Sequence, residues 1–339
     1  MKEHCYDWVV IGAGPAGIAA VGQLLDANTM PQQVAWIDPA FHVGDFGTIW
    51  KYVHSNTPVK AFLDFYNAFS AFEFHQPREQ FMIETMQLDA TCPLMLAAQP
   101  LQWITRRLQD KVIAKYSTAQ GLRLTPEGWL VQLACGQTLL AKKVILALGA
   151  EALTLPYSTL TPIPLKVAAN PVLLKKAIDE HDTIAVFGSY QSARTVQENL
   201  THTVAKKIIH FYRSERSFKQ HVASLKLSSR VESYPITSTN LLTYIPHCNK
   251  AIYAVGFARR TISIQGLPDD FLYHPETGQI ASGLYGLGIA FPEVLPYTKG
   301  RIAYKVTAIW PFIQHLRRIF PIWLTELTTM DELQPVDIE

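Results

Sequence analysis

Twice in this chain an apolar run ends on a glycine and the next residues take up helical spacing. The first instance is "VVIGAGPAGIAAVGQLL" from residue 9, and the second is "IAVFGSYQSARTVQENL" from residue 184. Each is followed by a further apolar run, "QQVAWID" ending at Asp38 and "KKIIHFYRS" ending at Ser214. Strand, turn, helix, strand is a βαβ unit, and βαβ units build parallel sheets covered by helices on both faces. Two copies about 176 residues apart predict an α/β protein of two Rossmann-like three-layer units.

The first copy carries a complete GxGxxG. Gly12 permits the tight turn, Gly14 lets a diphosphate approach bare backbone, and Gly17 lets helix and strand pack closely. Pro15 and Ala16 open the helix, whose N-terminal N–H groups and partial positive charge suit phosphates. Asp38 stands 21 residues after Gly17, where an acid can accept hydrogen bonds from a ribose diol. A glycine-tolerant turn in an unrelated α/β protein is the alternative for a lone GxGxxG. Here strand, helix, second strand and acid all fall in place.

The second copy is incomplete. Aligning Gly188 with Gly12 puts Tyr190 opposite Gly14, Ala193 opposite Gly17, and Ser214, beside Arg213, opposite Asp38. Ala193 is an allowed third glycine, and the Ser192 hydroxyl can donate to a phosphate. Tyr190 either swings aside or fills the site. Arg213, with Arg216 and Lys219 after it, favours the 2′-phosphate of NADPH over the free ribose of NADH. An ordinary solvated basic face is the competing reading.

Between and after these units the pattern is coarser. Residues 98 to 116 predict an amphipathic helix through Leu101, Ile104, Leu108 and Val112. "KVILAL" at 143–148 is apolar on both faces and belongs inside a sheet. Residues 151 to 172, with four prolines, read as an interdomain linker. "AFLDFYNAFSAFEF" sets Phe62, Phe65, Tyr66, Phe69 and Phe72 at helical spacing, as core or as a pocket wall. An amphipathic helix from about 298 closes the chain; it packs on the first unit, or lies on a membrane or oligomer surface.

At 48% hydrophobic and 17% charged, 339 residues can bury about two domains' worth of core. A net charge of +2 lacks the concentrated basic face that nucleic acid wants. Cysteines 5, 92, 135 and 248 make no CxxC or zinc pattern and read as free buried thiols in a reducing cytoplasm. The N-terminus shows no signal peptide, no run reaches spanning length, and the histidines show no metal spacing.

Taken in order, "VVIGAGPAG", "VILALGA", the second loop, "AIYAVGF" and "GLYGLGIA" resemble the two-dinucleotide-binding-domain flavoproteins, the group of thioredoxin reductases and flavin-containing monooxygenases. The resemblance implies FAD on the first loop and NAD(P)H on the second. It implies a discontinuous FAD domain, 1–160 plus 260–339, with the second unit, 161–259, inserted into it. Gly149, Gly288 and Ile289 fall on its flavin-side motifs. Absence of CxxC speaks against a disulfide reductase. "FGTIWKYVHSNTPVK" is similar to the monooxygenase GG-x-W segment and its Ser/Thr-Asn pair. Trp50 and Ser55 would then lie by the flavin, and Asn56 would match the asparagine facing the reactive flavin carbon. A capped turn at Asn56-Thr57-Pro58 is the plainer alternative.

The sequence departs from the family at two points: the F-x-G-x-x-x-H marker is missing, and Ile289 replaces a ribityl-binding Asp. The implied function is an FAD-dependent oxidoreductase taking hydride from NADPH, with monooxygenation of a small N- or S-containing substrate as its sharper form. The alternative is a non-catalytic FAD-binding protein whose second site is vestigial. The expected partner is a small-molecule substrate or electron acceptor, with no nucleic acid, no membrane surface, and a homodimer as the candidate assembly.

Overall fold

The computed structural model describes residues 4–157, 159–223, 225, 228–295, 304–305 and 309–325. Strand β1 (Cys5–Ile11) sits inside a nine-stranded sheet, between β2 (Val34–Asp38) and the strand Thr138–Leu146. Both neighbours run parallel to it. Helix α1 (Pro15–Asp26) makes the crossover. The sheet continues past β2 to Ile113–Tyr116, and on the other side through the antiparallel strands Gly128–Leu133 and Ala119–Thr125. Leu284–Gly286 returns late in the sequence to pair parallel with Thr138–Leu146.

Alternation on β1 divides the core in two. Trp8 and Val10 face the cluster built with α1, while Val9 and Ile11 face the cluster built around Trp129 and Phe291. A strand buried on both faces has no polar side to offer, which is why it reads as an unbroken apolar run.

The second sheet has five parallel strands, in the order Thr161–Pro162, Lys250–Tyr253, Thr183–Phe187, Lys207–Tyr212 and Val231–Pro235. Helix Gln191–Thr201 buries Ala193, Val196 and Leu200 against it. The chain leaves the first sheet and returns to it through two short antiparallel strands, Ala150–Ala152 and Phe257–Arg259.

Three expectations need adjustment. The helix expected over 98–116 spans Leu94–Gln109 and stops at Asp110. Ile113–Tyr116 is a strand instead, because the free edge of β2 recruits it by parallel pairing. The proline-rich 151–172 segment is not a bare linker: Thr161–Pro162 joins the second sheet, and Ile163, Leu165 and Ala168 enter its core. Cys135 is exposed in a turn, whereas Cys92 and Cys248 are buried.

The closing helix is described from Ile309 to Thr325, so its expected start near 298 lies outside the described residues. Its apolar face packs on the first unit through Ile313, Leu316, Phe320 and Trp323. The aromatic run at 62–72 is core, every one of its five rings being buried. Among the described residues no helix is long and apolar enough to cross a membrane, and no cluster could hold a metal ion.

Candidate active site

The two glycine turns are built alike to the level of single hydrogen bonds. Gly12 N–H donates to Ile37 O at 2.8 Å, and Gly188 N–H donates to Phe211 O at 3.0 Å. Ala147 N–H donates to Ile11 O at 2.8 Å, and Ala254 N–H to Phe187 O at 2.7 Å. Gly12 has φ +107° and Gly188 φ +131°. A Cβ would meet Ala147 O at 2.3 Å at the first and Ala254 O at 2.2 Å at the second. Both positions therefore demand glycine for steric as well as dihedral reasons.

This register corrects the alignment of the repeats. The carbonyl partners Ile37 and Phe211 are equivalent, so Asp38 answers to Tyr212 and not to Ser214. The second crossover is two residues shorter than the first. Ser214 instead caps the helix Glu215–His221, its Oγ accepting from Ser217 N–H at 3.2 Å.

The first loop fits a diphosphate. A Cβ on Gly17 would lie 1.8 Å from Gly12 O, so helix and turn are in contact there. A Cβ on Gly14 would meet nothing within 4 Å, so the space above that backbone is open. The first intrahelical bond of α1 is Ile18 N–H to Gly14 O, which leaves the Gly14, Ala16 and Gly17 amides outside the helix ladder. Gly288 (φ +84°) packs on Ala16, where a Cβ would meet Ala16 Cβ at 2.5 Å.

Asp38, expected as a ribose acceptor, is a brace within the fold. It is buried, its Oδ2 accepts from Ala13 N–H at 2.8 Å, and its Oδ1 accepts from Ala40 and Phe41 N–H at 2.8 and 2.6 Å. The carboxylate thus braces the glycine turn against the segment after β2. It still lines the cavity, and Oδ2 retains acceptor capacity.

The first turn and the start of the helix that follows the second turn line one cavity of about 460 Å³. From the first unit it is lined by Gly12, Gly14, Pro15, Asp38, Gly149 and Ile289, and from the second by Gln191, Ser192 and Thr195. Trp50, Ser55 and Asn56 line it too, as does His54, whose Nε2 is 2.9 Å from Thr91 Oγ1. Trp50 meets Phe257 edge to face, at 5.5 Å between centroids. Ser55 Oγ is turned to its own loop, accepting from Thr57 N–H at 2.8 Å. Asn56 is exposed, and its amide has no hydrogen-bond partner among the described residues.

The remaining sequence candidates lie outside the lining. Gly17, Gly188, Ala193 and Gly288 serve packing and turn geometry. Arg213 is exposed directly after the strand Lys207–Tyr212, away from this cavity. Tyr190 does not fill the second turn. Its side chain is 61% exposed and leans toward the His221 ring, at 5.5 Å.

Sequence reasoning missed an ion pair on the rim. Arg260 Nη2 lies 2.6 Å from Asp45 Oδ2, and the Arg260 amide donates to Gly149 O at 3.1 Å. Residues 215 apart in sequence carry no local signal of pairing. Arg259, next to it, is structural. Its guanidinium stacks 4.3 Å from the Phe271 centroid, and burial lowers its pKa. Phe46, Phe62, Leu94, Ile309 and Phe312 complete an apolar wall.

Comparison with known proteins agrees with this architecture. Residues 9–151 match the FAD-NAD(P)-binding family model. The flavin-containing monooxygenase of Stenotrophomonas maltophilia superposes with TM-score 0.57 at 13% identity, covering 93% of this chain and 98% of that one. The fold is that of the two-dinucleotide-binding-domain flavoproteins. Within that fold, the Lactococcus lactis thioredoxin reductase superposes with TM-score 0.55 at 14% identity, covering 94% and 99%. A curated relative, Monooxygenase AgnR1 of Paecilomyces divaricatus, is 25% identical across 93% of this chain and 97% of its own length.

Proposed function

We propose that this chain is an FAD-dependent oxidoreductase that accepts hydride from NADPH and acts as a monooxygenase on a small N- or S-containing molecule. The observation that carries the reading is the shared cavity: helix starts from both glycine turns line the same space. A nicotinamide bound from the second unit and a flavin bound from the first can meet there. The monooxygenase relative and the absence of CxxC favour oxygen over a disulfide as the acceptor.

In this reading the FAD domain is 1–160 plus 260–339, and the NAD(P)H-binding domain is 161–259. Two short strands carry the chain out and back. Bound FAD supplies hydride acceptance and the reaction with oxygen. The Gly14 amide, at the cavity, and the α1 dipole would bind its diphosphate. Trp50, Phe62, Phe257 and Phe312 exclude water from the reacting face. Asn56 brings an uncharged donor and acceptor to that face. Ser192 and the amides opening its helix take the second diphosphate, and exposed Arg213 takes the 2′-phosphate. The reading extends to a cytoplasmic location and to a homodimer, the latter tested by sedimentation.

Purified protein should be yellow, release FAD on denaturation, and consume oxygen when NADPH is added. A colourless protein that cannot be reloaded with FAD contradicts the proposal. FAD release with no oxygen uptake or flavin reduction by either nicotinamide favours the non-catalytic alternative. Tyr190, standing where the first loop has Gly14, is the residue that would explain that result.

A further inference from the structure

The two glycine turns are locked by different rings. In the first, Trp36 is fully buried and its indole Nε1–H donates to Gly12 O at 2.9 Å. Trp36 is the residue before Ile37, whose carbonyl takes the Gly12 amide. The residue at the same ladder position in the second unit, before Phe211, is His210. Its Nε2 lies 2.5 Å from Gly188 O, and its Nδ1 lies 3.2 Å from Ser233 Oγ on the neighbouring strand. The ring is completely buried and packs near Phe218 and Tyr212, at 5.6 and 6.1 Å between centroids.

We infer that His210 is the positioning residue of the second nucleotide loop, holding the Gly188 carbonyl as Trp36 holds that of Gly12. A carbonyl can only accept, so Nε2 carries the proton. In a neutral ring Nδ1 is then an acceptor, and the Ser233 hydroxyl donates to it. Burial, the dominant influence on His210, lowers its pKa and keeps the ring neutral. Gly188 has no side chain to fix its peptide, and its φ of +131° is open to few residues. Anchoring its carbonyl sets the direction of the chain into Ser189 and Tyr190. That direction in turn sets Gln191 and Ser192, which line the cavity.

The role in nucleotide binding rests on the proposed function; the role in loop geometry does not. The test uses full-length, FAD-loaded protein and two substitutions. His210→Phe keeps a ring for packing but removes both nitrogens. His210→Gln keeps an N–H donor. Hydrogen exchange over residues 186–194, read by mass spectrometry, should quicken about 3–10-fold in His210→Phe, the worth of one net hydrogen bond. It should return toward the wild-type rate in His210→Gln. The KM for NADPH should rise by a similar factor in His210→Phe, with a smaller change in kcat.

Unchanged exchange in His210→Phe overturns the assignment, and so does a His210→Gln variant as fast as His210→Phe. Loss of bound FAD together with loop protection also overturns it, because the defect would then be global. If the wild type binds neither nicotinamide while the exchange pattern holds, the NADPH reading fails and the positioning role stands.

Discussion

Gly14→Ala separates binding from folding more cleanly than any other change in the first loop. Its backbone, at φ −76° and ψ −179°, is one that alanine adopts without strain. The added methyl meets no protein atom within 4 Å. Gly14 is the N-cap of α1 and makes no side-chain cap bond. Alanine there gives up some capping preference, while the unfolded chain loses about 0.4–1 kcal/mol worth of freedom. These terms oppose each other, so stability of the FAD-free protein should move by no more than about 0.5 kcal/mol.

Binding is another matter, because the methyl occupies the space the diphosphate needs. Forcing a methyl into a packed contact costs about 1–3 kcal/mol, or about 5–150-fold in Kd. Gly17→Ala is the control. Its Cβ would stand 1.8 Å from Gly12 O, so it should lower the melting temperature of the FAD-free protein itself. The assay is thermal unfolding of stripped protein alongside titration of FAD by quenching of flavin fluorescence. A Gly14→Ala protein that binds FAD with wild-type affinity would refute the placement of the diphosphate. One that unfolds as readily as Gly17→Ala would refute the claim of open space.

Three further outcomes are expected. Asp38→Asn sets an amide N–H against at least one of the three backbone N–H groups the carboxylate now accepts; thermal unfolding should show a loss of about 1–3 kcal/mol even without FAD. Asn56→Ala removes a free carboxamide from the cavity and should lower the rate of substrate oxygenation about 10²-fold, while stopped-flow spectra show flavin reduction by NADPH intact. His210 and His315 have pKa values lowered from 6.5 chiefly by burial. The unfolded chain therefore takes up protons that the folded chain refuses, and stability should fall as pH drops below about 6.5 toward the lowered values. Urea midpoints from pH 7 to 5 measure this, and His210→Phe should flatten part of the slope.

The architecture was legible because burial on both faces leaves a plain mark. Trp8 to Ile11 and Ile184 to Phe187 are unbroken apolar runs, and a glycine must follow where the turn backs onto Ala147 or Ala254. The crossover length was not legible. Arg213 and Ser214 look like a counterpart to Asp38, but the ladder places Tyr212 there, since strand register is set by pairing and not by counting. Val112 and Ile113 continue the apolar rhythm of the preceding helix, and only the edge of β2 makes Ile113–Tyr116 a strand. Of the cavity, the glycines, Trp50, Ser55, Asn56 and Ser192 could be named in advance. The Asp45–Arg260 pair and the wall at Ile309 and Phe312 come from distant segments and exist only after folding. Trp36 and His210 read as strand residues, and nothing local announces that their ring nitrogens hold the turns.

The central claim is that a hydride carried by the second unit reaches a flavin held by the first. Anaerobic stopped-flow mixing of the FAD-loaded protein with NADPH deuterated at the transferring C4 position tests it most directly. The account predicts rapid loss of the oxidised flavin band, slower with the deuterated than with the ordinary cofactor. A band that persists with both NADPH and NADH would contradict it.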